Sequence, residues 1–200
     1  MMKSILLAGA TMLALSTTAL AAEEITECDR LAAHGSDPER IAPAVSESGM
    51  NKAAAQAACE AAVAKDPNNR RLRYQLGRAY FYDGKFDKGM PHLEFAASAG
   101  SQQAQFVLGY IIDTGQGGQT KEPCKVEDLW VKSARQGRFA AQTSYPHHVM
   151  RGLFKGCTQQ ASTEEMQGFL DAAKKQADDY YQRLLVSMLQ EELTAYKARK

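Results

Sequence analysis

Between Asp66 and Gly100, apolar positions recur every three or four residues in two runs, each bounded by turn formers. Asp66-Pro67-Asn68-Asn69 predicts a turn whose Asx side chain caps the free amides of a following helix. Leu72, Leu76, Ala79 and Tyr80 then share a helical face, and Gly77 leaves room for a second helix to approach closely. Asp83-Gly84 ends this helix, because glycine takes the left-handed conformation that a helix end commonly needs. Phe86, Met90, Leu93, Ala96 and Ala97 form the stripe of a second helix that stops at Gly100, with Pro91 in its early turns.

The pattern repeats along the chain. Leu76-Gly77 recurs as Leu108-Gly109, 32 positions later, while Gly100 recurs as Gly137, Ala104 as Ala141 and Gly115 as Gly152, each 37 positions on. Residues 51–65 read as the second helix of an earlier hairpin. Paired helices at such a period predict an all-α solenoid. From Ser162 to about Arg199, Met166, Leu170, Ala173, Ala177, Tyr180, Leu184 and Met188 keep the helical interval, and Phe169, Tyr181, Leu185, Leu189 and Leu193 widen the stripe. This stretch predicts one long amphipathic helix or two with a bend, and the lack of Gly or Pro after Gly168 favours one. It either caps the last hairpin or overhangs it and pairs with a copy of itself or a partner helix.

Residues 62–96 resemble a tetratricopeptide repeat. Residues 104–118 and 125–142 resemble the closely similar Sel-one-like repeat, through Ala104, Leu108, Gly109, Gly115, Gly117, Gly118, Trp130, Ala134, Gly137 and Ala141. Ile111, Ser133 and the Tyr145-Pro146 pair, in place of a third Leu-Gly, depart from that pattern. The resemblance covers roughly half the chain. It implies a right-handed α-α superhelix, to which the periodicity of the C-terminal stretch adds a long capping helix, and protein or peptide binding with no common chemistry. Cys28-Asp29-Arg30-Leu31-Ala32 resembles the opening of exported Sel-one-like proteins. The expected organisation is a signal peptide over 1–22, an N-terminal cap over 23–50, the solenoid over 51–160 and the long helix over 161–200. Within the cap, a short helix near residues 28–33 precedes irregular chain.

Lys3, the apolar run from Ile5 to Leu15 and Ala19-Leu20-Ala21 together describe a secretory leader, too short to span a bilayer. A Gram-negative periplasm fits this pattern best, with secretion beyond it as the alternative. In that oxidising compartment Cys28, Cys59, Cys124 and Cys157 read as disulfides. Three pairings are open. Cys28 with Cys59 and Cys124 with Cys157 is preferred, because each then ties a loop-rich stretch to a neighbouring helix. The 24 basic and 23 acidic residues nearly cancel, which gives no reason to expect nucleic acid or an anionic membrane as partner.

No cofactor or metal is expected. His147 and His148 are adjacent and point apart on a helix, and no acidic partner stands at ligand spacing. Gly115-Gln116-Gly117-Gly118 lacks the Lys-Ser or Lys-Thr of a phosphate loop. The chain is therefore read as a scaffold and not an enzyme, with an envelope protein or peptide received in a groove lined by the first helix of each hairpin. Arg71, Tyr74, Arg78, Tyr82, Gln105 and Tyr110 are the groove candidates, Arg71 and Arg78 forming either a solvated face or a basic strip for an acidic peptide. The alternatives are a self-associating structural protein and, less well supported, a cell-wall enzyme or its regulator.

Overall fold

The computed structural model describes residues 24–158 and 160–199, so the leader expected over 1–22 lies outside them. The described residues are all-helical: α1 (Glu27–Ala32), α2 (Lys52–Lys65), α3 (Arg70–Tyr82), α4 (Phe86–Ser98), α5 (Gln102–Thr114), α6 (Pro123–Arg135), α7 (Phe139–Met150), α8 (Thr163–Gln176) and α9 (Tyr180–Ala198). Each helix packs on its sequence neighbour, which makes the array a solenoid. Helices α1, α3, α5, α7 and α9 form one layer; α2, α4, α6 and α8 form the other.

Local chemistry sets the boundaries. Asn51, Asn69 and Ser101 cap α2, α3 and α5 by accepting a first-turn amide. The turns after α4 and α6 place Gly100 and Gly137 at φ +88° and +96°, a backbone region that a Cβ disfavours, which explains their recurrence. Gly109 serves packing instead. A Cβ there would lie 2.3 Å from Trp130 Nε1, so its absence admits the indole, which donates to the Phe106 carbonyl at 3.0 Å. Gly77 admits Leu93 in the same way one hairpin earlier.

Two apolar cores result. Cys28, Ala32, Ala55, Cys59, Leu72, Leu76 and Ala79 join α1, α2 and α3. The larger core runs from Leu93 and Leu108 through Trp130 and Tyr145 to Leu170 and Leu193. The structure pairs Cys28 with Cys59 and Cys124 with Cys157, as preferred from the sequence. The first bond fixes α1 to α2, and the second ties the start of α6 to the loop between α7 and α8. Thiol alkylation of unfolded, unreduced protein is expected to label none of the four cysteines, as read by intact mass; labelling of two or more would refute the pairing.

The C-terminal expectation needs correction. Residues 161–200 are not one long helix: Ala177 leaves helical geometry at φ −64°, ψ 108°, and Asp179 caps a new helix by accepting the Gln182 amide at 2.8 Å. The break lets α9 fold back onto α8 and α7, burying Val186, Leu189 and Leu193, which a straight helix would carry away from the core. In α7 the Tyr145-Pro146 departure is absorbed without ending the helix, and the Tyr145 hydroxyl accepts the Ala161 amide at 3.0 Å.

Candidate functional site

The four helices α3, α5, α7 and α9 start from N-caps Asn69, Ser101, Arg138 and Asp179, and these caps align them by position. In that alignment Arg71, Tyr74, Gln75 and Arg78 of α3 correspond to Gln103, Phe106, Val107 and Tyr110 of α5. They correspond in turn to Ala140, Thr143, Ser144 and His147 of α7, and to Tyr181, Leu184, Leu185 and Met188 of α9. These rows line the inner face of the array.

At α3 the chain itself covers this face. Arg71 pairs with Asp29 and is 3% exposed. Gln75 donates to Asp29 Oδ1 at 3.0 Å, and the Arg78 guanidinium donates to the carbonyls of Ala32, Ala33 and Val45 at 2.9, 3.2 and 2.6 Å. Tyr74 is buried against His34 and accepts a hydrogen bond from Gln103 at 3.0 Å. The expected basic strip is therefore not an open surface: Arg71, Tyr74 and Arg78 hold the N-terminal segment in place. A guanidinium with five donors is well suited to gathering backbone carbonyls that would otherwise be buried without partners.

Gln105 is also buried, for a different reason. It lies on the flank of α5 that meets α6, where its amide donates to the Ala97 carbonyl at 3.1 Å and its carbonyl accepts from Gln136 at 2.8 Å. Gln142 repeats this arrangement with Ala134 and Gln176. Tyr82 is half-buried under the Arg78 guanidinium, and Tyr110, 44% exposed, is the groove candidate most open to solvent.

The open part of the inner face lies beyond α3. Val107, Ser144 and His147 are half-buried, and α9 presents Tyr181, Leu184, Leu185 and Met188 at 77%, 43%, 42% and 60% exposure. A cavity of about 150 Å³ lies between α7 and α9, lined by Thr143, Ser144, His147, Leu185 and Leu189. On α3 and α5 the next helix is carried by Gly77, Tyr80 and Phe81, and by Gly109. Their counterparts on α9 are Ser187, Gln190 and Glu191, a polar flank of which Ser187 and Glu191 are exposed. Sequence periodicity placed the apolar residues on a helix; aligning them to a face required Asp179 to be recognised as an N-cap.

Glu127 is buried, and burial raises its carboxyl above the usual range while Oε1 accepts the Gln160 amide at 3.1 Å, fastening the loop before α8. Asp37, within the N-terminal segment, is buried, and burial raises its carboxyl to about 6. The Nδ1 of His148 meets the Ser144 carbonyl at 3.0 Å and its Nε2 lies 3.4 Å from Asp113, whereas His147 faces Glu192 at 3.5 Å. The two imidazoles thus serve different partners. Among the described residues no three His, Cys, Asp or Glu side chains converge as a metal site, and no helix is long and apolar enough to cross a membrane.

These features define a class: a helical-repeat solenoid whose inner face is partly self-covered and partly open. The fold is that of a Sel1-type repeat array. The chain is similar to a Sel1 repeat protein from Oxalobacter formigenes known from its crystal structure, at 20% identity and a TM-score of 0.53, over 66% of this chain and 96% of that one. No protein-family model and no curated protein matches the sequence.

Proposed function

We propose that this protein is a non-catalytic scaffold of the periplasm that binds an envelope protein or peptide along the open half of its inner face. The observation that carries this reading is the run of exposed apolar side chains on α9, continuous by alignment with Tyr110 and His147. An apolar patch of this kind on a folded chain marks a contact surface. Two disulfides per chain fit an oxidising compartment outside the cytoplasm.

The test compares affinity capture from envelope extract by the wild type and by a Leu185→Glu, Met188→Glu double variant. Both positions are solvent-exposed, so the variant is expected to keep its circular dichroism spectrum and to lose at least ten-fold in recovered partner. Equal recovery by the two proteins would sink this assignment of the face.

A further inference from the structure

We propose that the apolar stripe of α9 is a two-fold contact with a second copy of this chain, so that the binding unit is a dimer with two inner faces. The inference goes beyond the scaffold reading, which asks only for one open face.

The break at Ala177 produces the patch. Folding α9 back onto α7 and α8 buries Val186, Leu189 and Leu193 on one side of the helix, and leaves Tyr180, Tyr181, Leu184, Leu185 and Met188 at 66%, 77%, 43%, 42% and 60% exposure on the other. With an aromatic ring contributing about 150 to 250 Å² when fully exposed, these five side chains keep on the order of 500 Å² of apolar surface in water. A standard interface takes about 800 Å² from each partner, of which about 60% is apolar, so a pair of copies needs about 480 Å² of apolar surface from each chain. The stripe supplies that area on a single helix face.

Charge also fits. A two-fold contact sets a patch against itself, so any charge inside it meets its own like. Between Tyr180 and Met188 the one lysine, arginine or carboxylate is Arg183. At about 100° per residue it lies about 150° from the centre of the stripe. Asp178 and Asp179 precede the stripe, and Glu191 and Glu192 follow it within a turn. Asp179 caps α9, Glu192 faces His147, and Asp178 and Glu191 are exposed. A contact centred on Leu184 and Leu185 keeps these acids at its rim, where water and salt screen them.

The remainder of the open face does not suit a copy. There the half-buried Arg138 guanidinium lies 5.3 Å from the centre of the Phe106 ring and donates to Gln103 Oε1 at 2.6 Å. Set against itself, this part would bring cation against cation. The contact is therefore confined to α9, and Val107, Tyr110 and His147 of each copy stay available to a partner. Loss of captured partner by the Leu185→Glu, Met188→Glu variant then includes the loss of the paired faces.

The anchors are of the right kind. Tyrosine and methionine are enriched in interfaces, and the Tyr180 and Tyr181 rings already hold each other edge to face at 5.5 Å. The cavity of about 150 Å³ bordered by Leu185 and Leu189 gives an apolar side chain of the second copy a seat.

Light scattering on the wild type at about 100 μM reads the mass, since an interface of this size associates at micromolar concentrations or below. The expected mass is twice that of the chain, falling to the chain mass with Tyr181→Glu and with Met188→Glu, each with an unchanged circular dichroism spectrum. Tyr110→Glu, on the inner face outside α9, is expected to keep the dimer. A wild type of single-chain mass, a dimer that survives both α9 substitutions, or a dimer lost with Tyr110→Glu overturns the proposal. If envelope capture still depends on Leu185 and Met188 in a protein of single-chain mass, the scaffold reading stands alone and the partner itself covers the stripe. A dimer lost with Tyr181→Glu, together with envelope capture indifferent to Leu185 and Met188, supports the two-fold contact and removes the scaffold reading of this face.

Discussion

Replacing Asp29 with alanine is expected to destabilise the protein by about 3 to 5 kcal/mol, more than any other single side-chain removal on the inner face. Asp29 is fully buried in α1. Its carboxylate accepts the Thr26 amide at 2.9 Å, the Thr26 hydroxyl at 2.7 Å and the Gln75 amide at 3.0 Å, and it pairs with Arg71. The substitution removes a capping box, an interhelical hydrogen bond and the counter-charge of a buried guanidinium at once. Arg71→Met, which removes the cation, should be the milder change in the Asp29→Ala background than in the wild type. Urea denaturation of both single variants and the double variant measures the coupling, and additive losses would show that the pair is not a unit.

The second large effect is expected from Asp37→Asn and depends on pH. Burial raises the Asp37 carboxyl to about 6; the hydrogen bond from the Glu39 amide opposes the rise, the Glu39 carboxylate adds to it, and Arg138 and Arg70 oppose it. The folded state therefore holds this proton more tightly than the unfolded chain does. That stabilisation is present at pH about 4 and is lost as pH rises through about 6. Above that range a buried carboxylate keeps one hydrogen bond, from the Glu39 amide to Oδ1 at 3.0 Å, while Oδ2 has none. Asparagine retains the Oδ1 acceptor and carries no charge. It should add about 2 to 3 kcal/mol at pH 7.5, a rise in Tm of about 5 to 10 °C, and little at pH 4.5.

His34, on the same segment, runs the other way. Burial and then the Arg78 and Arg138 charges lower its imidazole to about 4, so its contribution is lost as pH falls below about 6.5. In the wild type the two losses overlap between about pH 4 and 6.5 and nearly offset each other, whereas Asp37→Asn should leave only the His34 effect and so gain stability as pH rises from about 4 to 6.5. A thermal-melt series at fixed ionic strength from pH 4 to 8 checks both points; parallel curves for the two proteins would contradict the assignment.

The hairpins were legible from the chain because their signals are local. Asn69, Gly84, Gly100 and Gly137 punctuate helices through backbone conformations that need no distant partner, and Gly77 and Gly109 recur because a close helix approach leaves no space for a Cβ. The groove was less legible. Arg71 and Arg78 have the spacing of a charged face, and nothing within α3 says that residues more than thirty positions earlier come back to cover them. The C-terminal break was hidden for a related reason. Ala177, Asp178 and Asp179 continue a helical period tolerably well, and the helix ends there because the folded-back arrangement buries Leu189 and Leu193 against α7 and α8.

The amino-acid sequence by itself determined where the helices of the central hairpins start and stop, that they pair at a repeat, and which cysteines stand close enough in the chain to clamp neighbouring elements. These follow from short-range sterics and hydrogen bonding, which act over a few residues. Only the tertiary structure decided which stretch of the inner face is open. Solvent exposure belongs to the packed assembly: the N-terminal segment takes α3 out of water, and no described residue does the same for the apolar stripe of α9.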